Sequence, residues 1–334
     1  MIVKRRLTWM NQIFTWKGNV LRRIWKRLLS VFLVASAVTF LDWAFTPRDG
    51  AHASDAESVF AILFTLSELP FTMVGFALGI FLGFRNNESY QRFWEGRRLW
   101  GQLVNLCRTF ARQVLTMIAE PEHSRAVDPG DDPLEPVDKS QRRLIYAMIG
   151  YVHSLRRHLR NDEAVDELSH WLEPAEVEVL RTQRNVPIRI LQMIGLRLKT
   201  EFQGGRIDVI RFQELERTLA QATDVQGGCE RIKATPLPFT YGQLTHTIVA
   251  LYCYFLPFGI VDNTGWMTPL VTLFLAYVFL GLDCIGDELE DPFGTEPNDL
   301  PLSHISRNIE INLRQSLDEA DVPEPLQPVG DVIW

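Results

Sequence analysis

Four stretches of the chain are long, apolar and nearly free of charge. Residues 28–45 contain only Asp42, residues 57–84 carry the run AILFTLSELPFTMVGFALGIFLGF, and residues 234–261 and 263–282 contain no Asp, Glu, Lys or Arg. Each is long enough to cross a bilayer as a helix. In the second stretch, Leu66, Leu69, Met73, Ala77 and Ile80 fall on one stripe at i+3 and i+4 spacing, while Gly75, Gly79 and Gly83 recur every fourth residue opposite it. The spacing predicts a close helix contact along the glycines, with the apolar face either offered to something else or packed against neighbouring helices as well. As a helix, 57–84 would measure about 42 Å, more than the roughly 30 Å of bilayer hydrocarbon. It continues without a stop signal into the charged, aromatic sequence RNNESYQRFWEGRRLWG. Helical periodicity resumes at 141–160, 175–184, 186–202 and 207–232, with a Gly204-Gly205 turn between the last two. No segment alternates as a strand does. The expected fold class is all-α: a four-span transmembrane helical protein with a helical cytoplasmic domain continuous with the spans.

Charge sets the orientation. Residues 1–27 hold eight Lys and Arg and no acid, including Lys4, Arg5 and Arg6, and read with Trp9, Trp16 and Trp25 as an amphipathic basic segment on the inner membrane surface. Ala51-His52-Ala53 looks like a signal-peptidase site, but the basic region before it is too long for a leader. Arg85, Arg92, Arg97, Arg98, Arg108 and Arg112 follow the second span, whereas the link around Asp262 has no basic residue. The positive-inside rule therefore places both termini in the cytoplasm. The expected organisation is a basic segment at 1–27, spans one and two within 28–84, and a cytoplasmic helical domain at 85–236. Spans three and four follow within 237–284, and an acidic cytoplasmic tail at 285–334. Residues 120–139, rich in proline and acid, read as a mobile loop inside the cytoplasmic domain. Over the 334 residues the net charge is −7; the basic surface lies beside the bilayer, so lipid is the expected partner and nucleic acid is not.

The chemistry of an enzyme is missing. There is no Walker loop, GxGxxG, GxSxG or HExxH, and Cys107, Cys229, Cys253 and Cys284 lack metal-site spacing. No cofactor is expected. His153 and His158, five residues apart, do not share a helix face, and His246 stands alone near the start of the third span; all three read as structural. Glu68 is different, because an ionised group inside a bilayer is costly. It should face water, a cation or a protein partner, and Pro70 two residues on removes a backbone donor and can kink the helix. After the fourth span, Asp283, Asp287, Glu288, Glu290, Asp291, Glu296 and Asp299 concentrate carboxylates. They form either a divalent-cation site or a solvated helix end.

Two segments, FLGFRNNESYQRFWEGRRLWG at 81–101 and IGDELEDPFGTEPNDLPL at 285–302, resemble signature stretches of the bestrophin family, specifically its bacterial members. The resemblance implies a homopentamer of all-helical protomers in the bacterial inner membrane, passing small monovalent ions through one central pore. It implies a hydrophobic neck on the second span at i, i+4 and i+8, which places Leu69, Met73 and Ala77 there. The family more often has bulky Ile or Phe at the neck, so Ala77 departs from the pattern. A second constriction near the VP dipeptide would fall on Ile188. Glu296 and Asp299 occupy acidic positions of the calcium clasp of animal members, but Pro297 and Asn298 break the run, and no calcium is expected. Fivefold repetition of Glu68 at the pore entrance favours a cation preference; the alternative is a chloride or other anion channel. A different class of reading is a membrane-anchored signalling or scaffold protein. A secondary transporter would show internal repeats, which are not evident.

Overall fold

The computed structural model describes residues 1, 18–45, 67–119, 137–162 and 165–333. Leu66, the Ala51-His52-Ala53 motif, nearly all of 1–17 and most of the acidic loop lie outside the described residues. The helices are α1 (Leu21–Phe45), α2 (Glu68–Met117), α3 (Lys139–Leu159), α4 (Pro174–Arg181), α5 (Val186–Gln203), α6 (Val209–Ala234), α7 (Phe239–Thr264), α8 (Thr268–Glu290) and α9 (Leu302–Gln315). Among the described residues the strand-like pairing is limited to an isolated bridge between Val329 and Val332. The chain forms two compact units, one from Lys4–Phe93 and Pro236–Asp291, the other from Met1–Val3, Trp94–Thr235 and Pro292–Trp334.

In the first unit, α1, the start of α2, α7 and α8 share a core of Ile24, Leu28, Val31, Leu78, Leu82, Val249, Cys253, Ala276, Leu280 and Cys284. These residues recur at three- and four-residue intervals, so each helix gives one stripe to the centre. α7 and α8 pack side by side and are joined through Gly265, whose φ of 49° is open to glycine at little cost. Leu21–Phe45, Glu68–Met117 and the α7–α8 stretch Phe239–Glu290 are long and apolar enough to cross a membrane. In the most apolar window of α2 only 17% of residues are buried within the chain. Its remaining apolar surface faces outward, as on helices solvated by lipid or by neighbouring chains.

The start of α2 corrects one expectation. The helix begins at Glu68, which puts Pro70 in its first turn. Backbone N–H groups there have no intrahelical partner, so proline removes nothing and no kink is needed.

In the second unit, α3 is the central element, buried on all sides through Leu144, Ile145, Met148, Tyr151, Val152 and Leu155, with α5, α6 and α9 packed around it. Gln141 of α3 donates through Nε2 to the carbonyls of Val114 and Ile118, both at 3.3 Å, closing the C-terminal end of α2. At the Gly204-Gly205 turn, Gly205 has φ +73°, and Arg206 ties the turn to Asp138 at 2.7 Å and Glu201 at 2.8 Å. Residues 285–334 hold a helix that the acidic reading did not anticipate: α9 buries Leu302, Ile309, Ile311 and Leu313.

Candidate functional site

Leu69 and Met73 lie on one face of α2 with 62% and 66% of their surface exposed, and Ala77 is exposed one turn further. Ile80 and Phe84 extend the stripe, also exposed. The helix thus turns an unbroken apolar edge outward while Leu78 and Leu82 hold its inner edge in the core. The three glycines behave differently from one another. A Cβ on Gly75 would sit 2.5 Å from the Tyr252 hydroxyl of α7, so a larger residue there would have to displace that side chain, whereas Gly79 and Gly83 have no heavy atom within 4 Å of an added Cβ.

Glu68, in the first turn of α2, has its carboxylate where the helix dipole favours negative charge. Its Oε2 accepts a hydrogen bond of 2.8 Å from Asn263 Nδ2 at the end of α7. In the second unit, Ile188 is exposed in the first turn of α5, its N–H bonded to the Asn185 cap at 3.3 Å. It lines a cleft with Arg184, Arg189, Gln192 and Leu196. Asp299 is buried and accepts from the Glu296 N–H at 2.7 Å through Oδ2, which makes it a turn-stabilising acid.

A charge cluster forms around the buried pair of Arg85 and Asp283. Arg85, 1% exposed, donates from Nη1 to Asp283 Oδ1 at 2.7 Å and from Nη2 to Asp287 Oδ1. His246, read as solitary, lies with Nδ1 2.7 Å from Asp283 Oδ2 and Nε2 3.5 Å from Asp287 Oδ1. Asn86 donates to the Leu282 carbonyl at 3.0 Å, and Arg92 to the Glu290 carbonyl at 3.3 Å. Within the second unit, Gly96 leaves room for the buried Phe293 ring, which would be 3.0 Å from a Cβ there. Within each unit, residues of the 81–101 segment therefore meet residues of the 282–293 stretch. Their partners are about two hundred residues apart in sequence, which is why spacing could not reveal them.

His153 and His158 have structural partners. His153 stacks on Trp171 with ring centroids 4.2 Å apart and meets Glu310 at 3.2 Å, while His158 meets Glu230 at 3.2 Å. All four cysteines are free and buried. Burial pushes the Cys107 and Cys229 thiols up to about 12, with the charges of Glu230 and Glu95 adding to the effect at Cys229, so neither is a nucleophile near neutral pH.

A family model described as Bacterial/Fungal Bestrophin protein matches residues 1–315. The chain is 38% identical over 329 residues to the voltage-dependent anion channel-forming protein YneE of Escherichia coli, spanning 98% of each chain. It is 36% identical over 324 residues to the protein of the same name in Salmonella typhi, spanning 97% of this chain and 96% of that one. A crystal structure of a bacterial bestrophin homologue from Klebsiella pneumoniae superposes with a TM-score of 0.76 at 32% identity, covering 89% of this chain and 100% of that chain. With its fold, its two signature segments and nearly its whole length matched, the chain belongs to the bacterial and fungal bestrophin family.

Proposed function

We propose that the chain is one protomer of a homopentameric anion channel in the bacterial inner membrane, conducting passively through a central pore. α1, the first part of α2, α7 and α8 are the four spans, with both termini cytoplasmic as the basic residues flanking α1 and α2 require. The observation that carries the reading is the apolar stripe of Leu69, Met73 and Ala77, exposed on a helix whose opposite edge is fixed in the core. Five such stripes around an axis make a hydrophobic neck that conducts only when wetted. Ile188 forms the second constriction, and Glu68 stands at the outer entrance.

The sign of selectivity changes from the expectation drawn from Glu68. Relatives at 38% and 36% identity are described as anion channel-forming proteins, which favours the anion alternative over a cation preference. Glu68 accepts a hydrogen bond from Asn263 at a helix N-terminus. Both features give its charge a structural role that needs no permeating cation.

Vesicles containing the purified protein and a halide-quenched dye test the reading. The channel should give chloride influx, and Met73→Ala should raise the basal rate several-fold by widening the neck. A membrane-anchored scaffold would show no influx and no response to Met73→Ala.

A further inference from the structure

The strongest unassigned chemistry lies where α7 meets α8. Asp283 and Asp287, one helical turn apart on α8, project to the same side. His246, in the second turn of α7, faces both, and one ligand-type atom from each of the three residues lies within 4.8 Å of the others. Ligand atoms around a tetrahedral ion with bonds of about 2 Å stand about 3.3 Å apart. The His246 Nδ1 to Asp283 Oδ2 distance of 2.7 Å therefore has to open by only a few tenths of an ångström, while the Asp287 carboxylate closes in.

The surroundings suit a cation. Arg85 grips one oxygen of each aspartate, fixing both carboxylates and offsetting one of their two charges. The set keeps one net negative charge, with Asp283 Oδ2 turned to the imidazole. His246 Nε2 also lies 3.5 Å from Asp287 Oδ1, so the imidazole has a carboxylate within reach of each ring nitrogen. A cavity of about 470 Å³, lined by Arg27, Val31, Ala250, Cys253 and Tyr254, opens directly onto the three residues. It gives an entry path and space for a water as fourth ligand. Arg27, exposed at its rim, can turn toward solvent. The side chains of His246 and Asp287 are 42% and 40% exposed, so an ion reaches them without opening the core.

We infer that His246, Asp283 and Asp287 form a binding site for a divalent zinc ion. One imidazole nitrogen with two carboxylates is a zinc-type ligand set; calcium and magnesium take more ligands, all of them oxygen. The site is separate from Glu296 and Asp299. Bound zinc joins α7 to α8 at the aspartates that hold Arg85 of α2.

Titration of the full-length, untagged protein in detergent with zinc chloride alone tests this. The expected isotherm saturates at one ion per chain, and zinc raises the melting temperature. His246→Ala and Asp287→Asn should each weaken binding at least about tenfold and abolish the thermal shift; both leave the Arg85–Asp283 pair intact. Glu288→Gln, one residue from the site, should bind zinc as the unmodified protein does. Absence of saturable binding, or isotherms unchanged in both site variants, would overturn the assignment. So would equal weakening by Glu288→Gln, because the ion would then sit elsewhere.

Discussion

At the residue scale the buried charges matter most. Arg85 reads in the sequence as one more basic residue after the second span; its role as the buried partner of Asp283 and Asp287 depends on side chains contributed by another helix. Removing one member of a buried pair strands the other, at a cost of about 3–5 kcal/mol. Arg85→Gln is therefore expected to lower the melting temperature far more than Arg98→Gln, and equal melting of the two variants would contradict the pairing. His153 is a second case. Burial lowers its pKa against the raising effect of its hydrogen bond to Glu310. Glu310 is raised by burial, but the His153 hydrogen bond, the His153 and Arg307 charges and the Trp171 N–H outweigh this and leave its pKa lowered. Arg156, Glu167 and Arg314 complete the charged groups facing the pair. Both groups bind protons less readily folded than unfolded. Their stabilisation is thus complete above the ordinary histidine value of 6.5 and is lost as pH falls, with Glu310 adding to the loss below its ordinary 4.5. Melting midpoints should drop between pH about 7.5 and about 5.5, with a smaller drop in His153→Gln; identical profiles would remove His153 as the cause.

At the scale of elements, the helices were legible because their apolar stripes repeat at the helical period, as Leu144, Ile145, Met148, Tyr151, Val152 and Leu155 do in α3. What escaped were ends and contacts. Pro70 reads as a kink only if the helix is assumed to start well before it, and α9, with its buried stripe of Leu302, Ile309 and Leu313, is passed over when the tail is read by the carboxylates that precede it. Gly259 attracts no notice in an apolar run, yet a Cβ there would lie 2.2 Å from the Phe71 ring. Gly259→Val should therefore destabilise the α2–α7 contact by about 1–3 kcal/mol through overpacking, read as a lower melting temperature. Combining it with Phe71→Ala should recover part of the loss; a double variant no more stable than Gly259→Val would place the strain elsewhere.

At the scale of the molecule, the outward stripe on α2 has no explanation inside a single chain. A soluble protein would not leave Leu69, Met73, Phe76, Ile80 and Phe84 exposed along one helix; the lipid and identical neighbours of the proposed channel would account for them together. The candidate neck could be placed on Leu69, Met73 and Ala77 because helical period and family resemblance converge there. Glu68 alone does not fix the sign of the permeating ion, because the sequence does not show that its carboxylate accepts a hydrogen bond from Asn263. Selectivity is therefore the sharpest test of the whole account. Recordings from the purified protein in planar bilayers under a sodium chloride gradient should give a reversal potential displaced toward the chloride equilibrium potential. A reversal potential displaced toward the sodium equilibrium potential would contradict the anion channel proposed here.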